Sequence, residues 1–200
     1  MGWFDSLSYR NLDRNRFMVK IQIAILMLLS TLLVGCQSTG SDTARERAIK
    51  NDIEKLVSYN FKQARKLIPP TIGTVKREGD QVTIVFNGDK SFDNNSAYIR
   101  SDSHDSLEKL SSLLADSPKS KVFIAGYTDS VGSKVYNREL SAKRAESVLK
   151  FFVLRGVDPE RINTYGFGEL SPIASNKLAS GRKQNRRIDV RITPWVEKFE

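Results

Sequence analysis

Asp129 and Arg144 are the two residues of this 200-residue chain whose types and spacing most invite chemistry. They sit in "GYTDSVGSKVYNRELSAKRA", residues 126 to 145, where an acid follows an apolar run and an arginine stands fifteen positions later on a helical pattern. A carboxylate accepts hydrogen bonds and a guanidinium donates them as a rigid fork. Facing one another they are either a salt bridge that brances the loop or the two poles of a binding site; alone, Arg144 is a solvated arginine. Spacing by itself leaves these readings open.

The elements around the pair narrow the choice. "KVFIAGY" (121–127) is a continuous apolar run of strand length, as expected of a strand covered by helices. Asp129 therefore lies in the loop at the carboxyl end of a strand, where ligands of α/β sheets tend to sit. Asn137 to Arg155 reads as a helix closed by Gly156. At 100 degrees per residue, Ser141, Ala145, Val148, Leu149 and Phe152 share one face, and Glu139/Lys143 and Glu146/Lys150 form i,i+4 pairs on the opposite one. Arg144 belongs to neither set: its neighbours at three and four residues are Leu140, Ser141, Ser147 and Val148, none acidic.

The rest of the globular part is strand and turn, then helix. "QVTIVFN" (81–87) alternates, and Glu78-Gly79-Asp80 suits a hairpin turn before it. Ser101 to Ala115 is a helix, and "RINTYGFG" is a short strand. "RRIDVRIT" places Ile188, Val190 and Ile192 on one face and Arg187, Asp189 and Arg191 on the other. This order predicts an α+β domain over 71–200, a two-layer α/β sandwich with helices on one face of a mixed sheet.

The N-terminal third has a different character. Ile21 to Gly35 is an apolar run of fifteen residues after Lys20, too short for a span of about 20 and suited to a secretory signal over 1–35. Met18 opens a stretch with the short basic start such signals have, which makes it the expected true start. The run ends at Cys36, the only cysteine, which has no internal disulfide partner. A polar tether follows. From about Ala44 to Leu67, Ile49, Ile53, Leu56, Val57, Ala64, Leu67 and Ile68 recur at helical spacing until Pro69-Pro70, so 36–70 reads as tether and helical spacer. Its apolar stripe favours docking or self-association over a free rod.

Two resemblances add to these readings. "LVGC" after the apolar run resembles the lipobox of bacterial lipoproteins, which implies cleavage before Cys36, diacylglycerol on its thiol and a further acyl chain such as palmitate on the new N-terminus. Several chains on one residue anchor stably where one does not. Gln37, in place of an aspartate, implies outer-membrane sorting by the rule known from enteric bacteria. The second resemblance covers about residues 80 to 193. "GYTDSVGSKVYNRELSAKRAESV", "RINTYGFGELSPIASN" and "GRKQNRRIDVRI" resemble the OmpA-like peptidoglycan-binding domain.

That family implies a ligand, the diaminopimelate of the cell-wall peptide stem, and residues to hold it: Asp129 for the ammonium, Arg144 for the carboxylate, and Asn137 at the helix start. Thr128 and the loop "FDNN" (92–95), with Asp93 and Asn94, complete the implied pocket through backbone groups. Asn185-Arg186-Arg187 also matches, with the arginines expected to brace the sheet or lie on its face, ligand contact being the alternative. Gly132, Gly166 and Gly168 are expected to serve turns, and Tyr127, Tyr136 and Tyr165 either line the cleft or pack. The implied role is a lipid-anchored protein of the outer membrane, facing the periplasm, that ties membrane to wall. The alternative is an anchoring part of a larger envelope complex, Tol-Pal-like or a secretion apparatus, with envelope protein partners.

Other classes fit less well. Catalysis lacks a base, nucleophile or metal set: His104 is the single histidine and has no ligand spacing, so neither cofactor nor metal is expected. The net charge of +9 stays at +7 without residues 1–35, which carry four basic and two acidic side chains. Yet the basic cluster Lys177, Arg182, Lys183, Arg186, Arg187 and Arg191 has no interleaved aromatics to stack bases, so no nucleic-acid partner is expected. Attraction to anionic wall or lipid explains the charge.

Overall fold

The computed structural model describes residues 39–199. The expected signal, the Met18 start, the Cys36 lipid site and Gln37 lie outside the described residues. The chain divides into two compact units, 1–48 and 49–200; the described part of the first is helical.

Helix α1 (Thr39–Leu67) ends just before Pro69-Pro70, where the missing N–H and the pre-proline restriction stop it. Within the second unit Val57, Asn60 and Ala64 of the helix and Ile68 just past its end, at spacings of three and four, are buried. The stripe thus docks on its own domain. Asn60 fixes the contact: its Nδ2 donates to Ser120 Oγ (3.2 Å) and its Oδ1 accepts from Ser117 Oγ (2.8 Å).

Strands β1 (Gly73–Glu78) and β2 (Gln81–Asn87) form the expected hairpin, Glu78 opposite Gln81, with Gly79 at φ +56° in the two-residue turn. A short helix, α2 (Gly88–Ser91), starts on Asn87, whose Oδ1 accepts from Asp89 N. Next come α3 (Ser101–Ala115), β3 (Ser120–Tyr127), α4 (Lys134–Val153), β4 (Ile162–Gly168), α5 (Ala179–Asn185) and β5 (Arg187–Pro194). The sheet order is β1-β2-β5-β3-β4, antiparallel except for β3 with β4.

The sheet is therefore mixed and its two faces differ. Val82, Ile84, Phe86, Val122, Ile124, Ile188, Val190 and Ile192 meet Leu107, Leu110 and Leu114 of α3 and Ala145, Val148 and Phe152 of α4. The alternation read in β5 holds, with Arg187, Asp189 and Arg191 on the face away from the helices. All of these core residues lie in the unit 49–200, which carries its own closed core.

α4 starts three residues before the sequence reading, because Ser133 caps it: Ser133 Oγ accepts from Tyr136 N. It lies unusually close to the sheet. A Cβ on Gly126 would stand 2.1 Å from Ser141 O, and one on Gly166 would stand 2.4 Å from Ala142 N. Gly166 is thus a close-approach glycine inside β4, not the turn glycine expected, whereas Gly132 (φ +95°) and Gly168 (φ +60°) do take turn conformations.

Candidate functional site

The antiparallel register pairs Tyr127, the last residue of β3, with Arg187, the first of β5. What lies just beyond each end must meet at the same edge: Thr128 and Asp129 on one side, Arg186 on the other. There a cleft of about 600 Å³ opens, bounded by the 128–131 turn, the 92–95 loop, the first turns of α4 and Arg186.

The 128–131 turn holds itself. Thr128 N donates to Gly168 O (2.8 Å), and Thr128 Oγ1 to Asp129 O (2.9 Å). Asp129 Oδ1 accepts from Val131 N at 2.9 Å, and Asn137 Nδ2 bridges the carbonyls of Asp129 (3.3 Å) and Val131 (3.0 Å). Thr128 and Asn137, expected among the ligand-binding residues, here make hydrogen bonds within the loop. They shape the loop that presents the Asp129 carboxylate.

Arg144 is only 5% exposed, yet among the described residues it forms no ion pair. Its Nε donates to Ser96 O (2.8 Å) and its Nη2 more weakly to Asp93 O (3.4 Å), with the guanidinium carbon 5.2 Å from the Phe92 ring centre. Burying a cation is unfavourable without such partners, and here they come from the 92–96 loop. Burial pushes the Arg144 pKa down and the Asp89 charge opposes this; a guanidinium stays cationic at neutral pH. Asp93 and Asn94 line the cleft, Asp93 with its carboxylate on Arg100 (3.2 Å).

Arg186 is the residue that sequence reasoning misplaced. It was expected to brace the sheet or lie on its face, with ligand contact as the alternative, and it turns into the cleft. Its Nη1 meets Asp129 Oδ2, while Nε and Nη2 grip Asp89 Oδ1 (2.6 Å) and Oδ2 (2.8 Å) in a bidentate pair. The fork holds the Asp89 carboxyl below its usual range, and the two acids push Arg186 upward. Arg187 does brace the sheet, over the Tyr127 ring at 3.6 Å and 3.2 Å from Asp189. Asn185 ties down the 173–176 loop: Oδ1 accepts from Ile173 N and Ala174 N, and Nδ2 donates to Ala174 O and Asn176 Oδ1.

Asp89 escaped notice altogether, since "NGDK" carries no signal beyond a helix start. Of the tyrosines, Tyr136 lines the cleft, Tyr127 packs beneath Arg187, and Tyr165 stands exposed against Arg138. His104 is exposed on α3, with Nε2 3.3 Å from Ile99 O.

Chemically the cleft offers an anionic cluster (Asp89, Asp129, Arg186) and, apart from it, a cation without a carboxylate partner among the described residues (Arg144). Such a pair of poles suits a ligand that bears an ammonium and a carboxylate.

Residues 91–186 match the model of the OmpA family, just under half of the chain. The Escherichia coli protein named "Probable lipoprotein YiaD" is 38% identical over 139 residues, covering 68% of this chain and 64% of that protein. The peptidoglycan-binding protein ArfA of Mycobacterium tuberculosis is 36% identical over 122 residues, 61% of this chain and 37% of ArfA. The chain thus spans less than two thirds of these relatives. In fold it resembles the crystal structure of a MotB-like protein from Desulfovibrio vulgaris, with a TM-score of 0.66 at 21% identity over 74% of this chain and 94% of that one.

Proposed function

We propose that this chain, which carries an OmpA family domain, binds peptidoglycan noncovalently through the diaminopimelate of its peptide stem. Arg144 carries the proposal: a buried guanidinium with no carboxylate partner among the described residues, in one cleft with the Asp129 carboxylate. Arg144 takes the free carboxylate of diaminopimelate as a fork, and Asp129 takes the ammonium on the same carbon. The name of ArfA supports the wall as ligand. We further propose that Cys36 carries the lipid anchor and holds the domain at the outer membrane, facing the periplasm, so that the chain ties membrane to wall. The name of YiaD supports the lipid. Envelope proteins are the expected further partners.

The test is a sacculus pull-down with residues 37–200, comparing wild type, Asp129→Ala and Arg144→Ala on diaminopimelate-type and lysine-type walls. Lysine lacks the distal carboxylate, so wild type should prefer the diaminopimelate wall. Each substitution should weaken binding tenfold or more, because a hydrogen bond to a charged group contributes about 1.5–3 kcal/mol. Equal retention on both walls, or binding by both variants at the wild-type level, overturns the clamp. Mass spectrometry of the envelope-extracted protein checks the anchor: an unmodified Cys36 overturns it.

A further inference from the structure

Asp129 does not face the cleft as a free anion, since Arg186 Nη1 lies on its Oδ2. One aspartate and one arginine make a neutral pair, which attracts an ammonium poorly. The cleft keeps a negative pole because Asp89 shares the same arginine. Two carboxylates on one guanidinium leave a net charge of −1.

That sum belongs to the three-residue cluster; of the other charged groups lining the cleft, Arg182 and Arg144 each add a positive charge. Asp93 is paired with Arg100. Arg182 turns its Nη1 to the carbonyls of Asn176 (3.0 Å) and Lys177 (3.2 Å). Arg144 forms the separate positive pole. Asp89 is fixed in place by its own helix start, where its N–H donates to Asn87 Oδ1, and by the bidentate fork of Arg186. The same fork keeps it ionised at neutral pH.

We propose that Asp89 is a specificity-determining residue of this cleft: through Arg186 it keeps the Asp129 pole negative, so that the site selects a ligand carrying an ammonium beside its carboxylate. The inference rests on the zwitterion reading of the cleft. Asp89 also prevents Arg186 from committing its whole fork to Asp129. Without Asp89 the pole becomes neutral, and Arg186 is free to draw a bare carboxylate.

The experiment is calorimetric titration of residues 37–200 with meso-diaminopimelate and with pimelate, the same seven-carbon diacid without its amino groups. Wild type should favour diaminopimelate. Asp89→Asn, which keeps the shape and removes the charge, should lose diaminopimelate affinity tenfold or more while pimelate binds as well as before or better. Asp89→Glu should restore the preference for the aminated ligand, which a merely structural role would not do. Wild-type selectivity in Asp89→Asn, or an equal loss of both ligands, overturns the inference alone. Failure of wild type to bind either ligand overturns the zwitterion reading and the inference with it.

Discussion

Arg186 lies on the Asp129 carboxylate through one edge of its guanidinium, while its other edge grips Asp89. Asp129 and Arg144, which the sequence sets fifteen residues apart, therefore do not neutralise one another. Arg144 instead stitches α4 to the 92–96 loop through the Ser96 and Asp93 carbonyls. The acid and the base of the cleft are held by separate partners.

The approach of α4 to the sheet predicts that Gly166→Ala destabilises the domain by about 3 kcal/mol, since the new methyl meets the Ala142 backbone and overpacking costs ~1–3 kcal/mol or more. Gly126→Ala should be at least as damaging. Thermal denaturation would register a drop of roughly 6–12 °C for a domain of this size. A melting temperature within about a degree of wild type would show that α4 does not lie so close.

Asn185 is fully buried and makes four hydrogen bonds to the 173–176 loop. Asn185→Ala leaves two amide donors and two carbonyl oxygens, those of Ala174 and the Asn176 side chain, without that partner, at ~1–3 kcal/mol for each group left unsatisfied. Hydrogen exchange reads it directly. The amides of Ile173 and Ala174 should be protected in wild type and exchange freely in the variant; unchanged protection would contradict the role.

Asp89 and Asp189 should titrate on opposite sides of the ordinary aspartate value of 3.8. Arg186 lowers Asp89, so its ionised form supports the fold above the unfolded-state pKa, and this support is lost as pH falls through the lower folded value. Burial raises Asp189 despite Arg187 and Arg191 beside it. Its folded form takes up a proton more readily than the unfolded chain does, so ionisation of this group opposes the fold as pH rises through the raised value. Carboxyl-carbon NMR on selectively labelled protein should find Asp89 titrating before Asp189 as pH rises from the acid end. The reverse order would refute both assignments.

Local pattern made most of the architecture legible. The alternation in "RRIDVRIT" and the Gly79-Asp80 turn are period-two and turn signals that need no distant partner. Projection of α4 isolated Arg144, and the structure puts it at the cleft. What stayed hidden is non-local. Which of two successive arginines enters the cleft depends on the pairing of β5 with β3, some sixty residues apart, because moving one residue along a strand reverses the face. Asp89 acquires its meaning from Arg186, ninety-seven residues away. Gly166 reads as a turn glycine because no local signal reports that a helix presses on it.

The Asn60 contacts with Ser117 and Ser120 give α1 a mechanical character. A pull applied at Ile49 along the helix axis cannot peel the helix away one contact at a time. It loads these hydrogen bonds and the Val57, Ala64 and Ile68 packing together, in shear. Ser120 opens β3, and the other end of that strand borders the cleft, so a single strand links the α1 contact to the site.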